Sequence, residues 1–255
     1  MLLELRNVSK RFGGLHAVSE LSMAVPPGTI HGVIGPNGAG KSTVFNLVTG
    51  VLSLSSGEIR FKGERVSGLR PSEICRRGIA RTFQASTLFP ESTVLENVLI
   101  GCQVHAATGF IPTLLRSAGY RLSERSMRSR AHDLLTTLRL AAVGDQPAGR
   151  LSHRDQKALC LAMVLATEAE LVILDEPLAG LAAQESQETI ATLRALRAAG
   201  RTLLLVEHDM RAVMELCDVI TVLDHGVRIA EGTPREVQAN PAVIEAYLGA
   251  EEFRA

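Results

Sequence analysis

Gly35-Pro36-Asn37-Gly38-Ala39-Gly40-Lys41-Ser42-Thr43 decides how this chain is read. Gly35, four residues, then Gly40-Lys41-Ser42 is the spacing of a phosphate-binding P-loop. An apolar, strand-like stretch, Thr29-Ile30-His31-Gly32-Val33-Ile34, leads in, and a helix-like stretch, Thr43-Val44-Phe45-Asn46-Leu47-Val48, leads out. Strand, glycine loop and helix form the context this chemistry needs. Glycines let successive backbone N–H groups converge on one anion, and the helix N-terminus adds partial positive charge. Asn37, Gly38, Ala39, Gly40, Lys41, Ser42 and Thr43 are therefore the expected phosphate cradle. Lys41 is placed to reach β- and γ-phosphates, and Ser42 to hold Mg²⁺.

Two further apolar runs end in polar residues. Leu171-Val172-Ile173-Leu174 reads as a strand buried on both faces, and it ends at Asp175-Glu176. Asp175 is placed to coordinate Mg²⁺ beside Ser42, partly through water. Glu176, one step further, can accept a proton from an attacking water. Leu203-Leu204-Leu205-Val206 is the second run, and it ends at Glu207-His208-Asp209. His208 can bond a γ-phosphate or hold that water.

Between these runs the rhythm changes. Strand-like runs cover 2–9, 17–25, 29–34, 57–62 and 79–83. From Val94 to Ala166 the period is helical, with helices expected at 93–106, 123–139 and 153–167. A Pro-containing apolar segment with Phe110, Ile111, Leu114 and Leu115 is expected to pack among them. Strand and helix then alternate again to the C-terminus. The pattern implies an α/β fold: a P-loop core with a mixed, largely parallel sheet and N-terminal antiparallel strands, interrupted by an inserted all-helical subdomain. The core is assigned to 1–86 and 166–255, and the insert to 87–165.

Bulk properties narrow the classes. The 255 residues carry 27 Lys and Arg against 27 Asp and Glu, so no basic excess marks a nucleic-acid partner. No run of eighteen apolar residues spans a bilayer, and the alternating N-terminus does not read as a signal peptide. Cys75, Cys102, Cys160 and Cys217 are scattered, as expected of reduced thiols. The basic run from Arg121 to Arg130 reads as a solvated helix face.

Taken together, these residues resemble the nucleotide-binding subunits of ABC transporters over nearly the whole chain. GPNGAGKST matches Walker A, and Leu171 to Glu176 matches Walker B with its catalytic glutamate. Gln84 falls at the Q-loop position, His208 at the H-loop histidine and Phe12 at the aromatic position that stacks on adenine. Leu151-Ser152-His153-Arg154-Asp155-Gln156 falls at the signature, and Ala179 to Ala182 at the D-loop. The resemblance implies catalytic roles for Glu176, His208, Gln84 and Lys41, and Mg²⁺ contacts from Ser42, Gln84 and Asp175. It implies that two such subunits close head to tail on two ATP molecules. Each ATP then lies between one subunit's Walker motifs and the other's signature.

The resemblance narrows to importers of branched-chain amino acids through Arg81-Thr82-Phe83-Gln84, Val206 to Met210 and Val243 to Gly249. It implies a second, different ATPase subunit, with a homodimer possible in isolation. It also implies two permease subunits, a periplasmic solute-binding protein and no nucleic acid. The chain is expected at the cytoplasmic face of the inner membrane. Two rivals are an ATPase of lipopolysaccharide export and a weakly hydrolysing regulatory subunit. The sequence departs from the family at two places. Arg154 replaces a signature glycine, and Ala182 stands where Asp or Asn is common.

Overall fold

The computed structural model describes residues 1–82, 88–105 and 118–248. The chain divides into two compact units. One comprises Met1–Ile74 and the chain from Leu171 onward; the other is Cys75–Glu170.

The first unit begins with an antiparallel sheet. Its strands are β1 (Leu3–Phe12), β2 (Leu15–Val25), β4 (Ser56–Phe61) and β5 (Glu64–Arg65), in the order β2-β1-β4-β5. Gly13-Gly14 closes the β1–β2 hairpin, so Phe12 and Leu15 face each other across its tip. Alternating Leu3, Leu5, Val18, Leu21, Met23 and Val25 are buried, which fixes the face this sheet turns inward.

A second sheet of this unit carries the chemistry. It contains β3 (Ile30–Ile34), β7 (Leu171–Asp175), β8 (Thr202–Val206), β9 (Val219–Asp224) and β10 (Val227–Gly232). Their order is β10-β9-β3-β8-β7. β9, β3, β8 and β7 run parallel, and β10 returns antiparallel along β9. Every residue of β3 and β8 is buried, as a strand covered on both faces requires. The order matters for function because β8 lies between β3 and β7. The loops leaving the C-terminal ends of three neighbouring parallel strands therefore emerge along one edge, where α/β sheets bind ligands.

The second unit holds β6 (Ile79–Arg81) and helices Val94–Cys102, Ala118–Thr137 and His153–Ala166. The first of these begins with a capping box, in which Thr93 and Glu96 satisfy each other's backbone N–H groups. Asn97, fully buried, bonds both the N–H and the carbonyl of Phe89 and thereby fixes the preceding loop. The helix expected at 93–106 ends at Cys102 and tightens into a 3₁₀ turn over Gln103–His105. The one expected at 123–139 spans Ala118–Thr137 and stops where Arg139 takes a left-handed φ of 60°. Such a residue ends a helix as a C-terminal glycine does. Helix Pro71–Arg76 is only six residues long, too short to show a helical period in the sequence, and its leading proline is its local signal. The apolar segment with Phe110, Ile111, Leu114 and Leu115 lies outside the described residues.

Candidate active site

The loop after β3 has the geometry its letters require. Gly38 and Gly40 adopt φ of 82° and 101°, left-handed values that cost a residue with a side chain about 1 kcal/mol or more. Space is also short. A Cβ on Gly40 would meet the carbonyl oxygen of Ala17 at 2.5 Å, and one on Gly35 would meet that of Leu223 at 2.1 Å. The loop is braced by the β9–β10 turn. Gly226 donates its N–H to the carbonyl of Ala39 at 3.0 Å and accepts from Ser19 N–H at 2.8 Å. That brace is invisible in the P-loop sequence itself.

Helix Lys41–Val48 opens directly from the loop, with no side-chain cap on its first turn. Its leading N–H groups thus face the cradle. Lys41 is buried, and its ammonium donates to the carbonyls of Gly35 at 2.6 Å and Pro36 at 3.0 Å. These contacts hold the ammonium folded over the loop where a phosphate chain would lie. Asn37, Gly38 and Ser42 are exposed, Thr43 is half-buried and Ala39 is buried. The cradle, a lysine and a free helix start suit a polyphosphate. A hydroxyl (Ser42) and a carboxylate (Asp175) are hard oxygen donors that suit Mg²⁺.

β7 delivers Asp175 opposite Val206 of β8, and the chain then turns sharply. Glu176 holds a left-handed φ of 48°, uncommon for a residue with a Cβ. Its N–H donates to the carbonyl of Val206 at 3.0 Å, which fixes the turn to the neighbouring strand. His208 arrives from the end of β8, and its Nε2 lies 2.9 Å from Oε1 of Glu176. Both side chains are 43% exposed, so the pair faces a wet edge and is open to an incoming phosphate and water. Asp209 caps the next helix, Met210–Leu216, by accepting from the N–H groups of Arg211 and Ala212.

Sequence reasoning passed over Glu207 between them. The residue is only 4% exposed. One carboxylate oxygen accepts from the Leu178 N–H at 2.5 Å and the other from the His208 N–H at 3.2 Å. An acid following four apolar strand residues was the signal.

Phe12 stands at the tip of the first hairpin, 45% exposed, with the Lys10 ammonium 5.0 Å from its ring centroid. It does not belong to the packed core. Gln84 lies outside the described residues.

The signature segment belongs to the second unit. Ser152 caps helix His153–Ala166, accepting from Asp155 N–H and donating to its carboxylate at 2.9 Å. Gln156 donates its side-chain amide to the carbonyl of Leu151 at 3.2 Å. His153 and Arg154 occupy the first two helical positions. Arg154 is not among the residues of positive φ, so a glycine's backbone freedom is not what this position demands. What the arginine brings to this position is bulk and charge, and Asp155 takes up part of that charge at 3.4 Å. Ala182, at the N-cap of helix Ala183–Ala198, offers no side-chain acceptor, though Glu185 accepts its N–H at 2.9 Å.

Fold and site define a P-loop nucleoside triphosphatase with its phosphate cradle, acid pair and histidine on one sheet edge. Comparisons agree. The family described as ABC transporter matches residues 18–179, and that described as branched-chain amino acid ATP-binding cassette transporter matches 227–252. The chain is 40% identical over 249 residues to the high-affinity branched-chain amino acid transport ATP-binding protein BraF of Pseudomonas aeruginosa, covering 97% of this chain and 98% of that one. It is 39% identical, over the same shares, to LivG of Escherichia coli, which carries the same description. A nucleotide-free ATP-binding cassette from an ABC transporter superposes with a TM-score of 0.85 at 32% identity, covering 96% of this chain and 98% of that one. Another such cassette, in its ADP conformation, also gives 0.85, at 33% identity, with 97% and 98% covered. The chain belongs to the ABC transporter family and is one of its ATP-binding, ATP-hydrolysing subunits. Among the described residues no helix is long and apolar enough to cross a membrane.

Proposed function

We propose that this chain powers uptake of branched-chain amino acids, or a closely related small polar solute, by hydrolysing ATP at the edge formed by β3, β8 and β7. The relatives' names support the solute class. The observation that carries the hydrolytic reading is the Glu176–His208 pair at 2.9 Å, at the strand ends next to the P-loop strand.

The P-loop N–H groups and Lys41 bind the phosphate chain, and Phe12 stacks on the adenine. Ser42 and Asp175, with Gln84, would hold Mg²⁺, which supplies charge neutralisation on the phosphates when bound. Glu176 orients a water in line with the γ-phosphorus and takes its proton. His208 holds the Glu176 carboxylate and, on closure, the γ-phosphate. Lys41 offsets charge that grows on the transferred phosphoryl.

The missing half of the site comes from a second ATPase subunit whose signature faces this chain's ATP. Two permeases and a periplasmic binding protein complete the complex, with this chain peripheral at the cytoplasmic face. In return, Ser152, His153, Arg154, Asp155 and Gln156 face the partner's ATP. Arg154 adds bulk and charge there, and Ala182 removes a polar group. The pair is therefore asymmetric, with the site that borrows this signature the weaker one. The test is vanadate-sensitive ATPase activity of the reconstituted transporter, stimulated by solute-loaded binding protein. Glu176→Gln should abolish most turnover, and the equivalent change in the partner should cost less. Full turnover in Glu176→Gln would refute the reading.

A further inference from the structure

Three elements of the hydrolytic edge come from separate stretches of chain, and something must fix their spacing. Glu176 holds a left-handed φ of 48°, so its turn is maintained by outside contacts. Pro177 follows and has no N–H. The first donor available beyond Glu176 is the N–H of Leu178, and it is taken by the Glu207 carboxylate at 2.5 Å. The other oxygen of that carboxylate accepts the N–H of His208 at 3.2 Å. His208 returns to Glu176 through Nε2 at 2.9 Å. The result is a closed ring: Glu176, Pro177, Leu178, across to Glu207, along to His208, and back to Glu176.

The chemistry of position 207 is unusual for its surroundings. Leu203, Leu204, Leu205 and Val206 precede it, all buried. Burying an acid there costs stability unless both oxygens find donors. Two of its donors, the N–H groups of Leu178 and His208, sit on the two turns that carry the acid and the histidine. The same burial acts on the neighbouring Cys217 thiol, pushed up to about 12 by burial with Asp218 and Glu207 adding to it.

We propose that Glu207 is a positioning residue for ATP hydrolysis, clamping the Glu176 turn to the His208 turn so that the pair keeps its spacing through the cycle. This rests on the hydrolytic roles assigned above to Glu176 and His208. Glu207 does not touch the nucleotide; by holding the Leu178 and His208 N–H groups together it acts only by presenting His208 to Glu176. Gln at this position has a single acceptor oxygen, so it can serve only one of the two N–H groups. Its amide N–H₂ would oppose the other donor.

The experiment is a double-mutant cycle on the transporter assembled with its permeases and second ATPase. The kcat and KM for ATP are measured for wild type, Glu207→Gln, His208→Ala and the double variant. Losing one charge-assisted hydrogen bond to the clamp should lower kcat about tenfold. The KM for ATP should change less than about twofold, because the P-loop contacts are untouched. The double variant should match His208→Ala alone, since the clamp acts through His208. A merely structural role would instead give multiplicative losses, with the double variant lower than His208→Ala by the full factor of the single change. That result overturns the inference, as does wild-type kcat in Glu207→Gln alongside an impaired His208→Ala. Wild-type turnover in His208→Ala overturns the underlying hydrolytic reading as well. If Glu207→Gln does not fold, Glu207→Asp replaces it in the same cycle: it keeps both acceptors but draws them back by one methylene, and the same non-additivity is expected.

Discussion

Gly226 lies far from the P-loop in sequence yet braces it, and Gly226→Ala tests that brace. Gly226 and Gly63 share nearly the same backbone, with φ of 80° and 81°. Either alanine would therefore carry a similar left-handed penalty of about 1 kcal/mol. Their surroundings differ. At Gly63 nothing lies within 4 Å of an added Cβ. At Gly226 the Cβ would meet the Ala17 carbonyl oxygen at 2.8 Å, its carbon at 2.9 Å and Val18 Cα at 3.1 Å. All three are backbone atoms within a paired strand and yield poorly. Relief requires the turn to retreat, which weakens the Gly226 N–H bond to the Ala39 carbonyl, now 3.0 Å. Overpacking and the weakened bond together should add about 2 kcal/mol to Gly226→Ala. For a chain of this size that separates the two variants by roughly 4–8 °C in melting temperature. Because Ala39 belongs to the cradle, Gly226→Ala should also weaken ATP binding about tenfold, equivalent to ~1.4 kcal/mol. Gly63→Ala should leave it within about twofold. Thermal melts and nucleotide titration of the two purified variants, side by side, are the assay. Equal melting temperatures and equal ATP affinity would show that the β9–β10 turn does not support the P-loop.

Two further expectations follow from the same unit. His31 on β3 is buried, and its Nε2 lies 2.8 Å from Thr221 Oγ1, which itself donates to Glu231. With that hydroxyl proton spent on Glu231, Nε2 is the donor and Nδ1 finds no hydrogen-bond partner among the described residues; burial lowers the pKa to about 4, with Glu231 opposing. The unfolded chain therefore takes up a proton near pH 6.5 that the folded chain refuses until about 4. Stability should fall as pH drops through that window, by about 2 kcal/mol from pH 7 to 5 from this residue. Urea melts of wild type and His31→Gln should differ in pH slope by that amount, and identical slopes would exclude His31 as the source. Ala182→Ser should complete the capping box that Glu185 already half forms. It should stabilise by about 1 kcal/mol and raise the melting temperature by ~2–4 °C; no rise would show that the N-cap is not limiting there.

Much of this protein is legible in local letters because the physics involved is local. A P-loop is a run of adjacent backbone donors, so its glycines declare it. Leu171–Asp175 and Thr202–Val206 declare themselves because strands buried on both faces are apolar at every position. Helix ends were less legible. Gln103–His105 and Arg139 end their helices without glycine or proline, so periodicity alone overran them.

The sequence by itself determined the chemical parts: a phosphate cradle, a lysine, two carboxylates at a strand end, a histidine, and an α/β chain with a helical interruption. Only the tertiary structure decided their arrangement. Strand order is a long-range choice, and it set β8 between β3 and β7, so that His208 meets Glu176 at 2.9 Å. Glu207 became meaningful only when two backbone N–H groups, one of them 29 residues away, converged on its buried carboxylate. Gly226 came to brace the P-loop only because an antiparallel return strand turns beside it. Hydrogen bonds and steric limits act over a few ångströms, whatever the separation along the chain, and the fold alone sets which groups come that close.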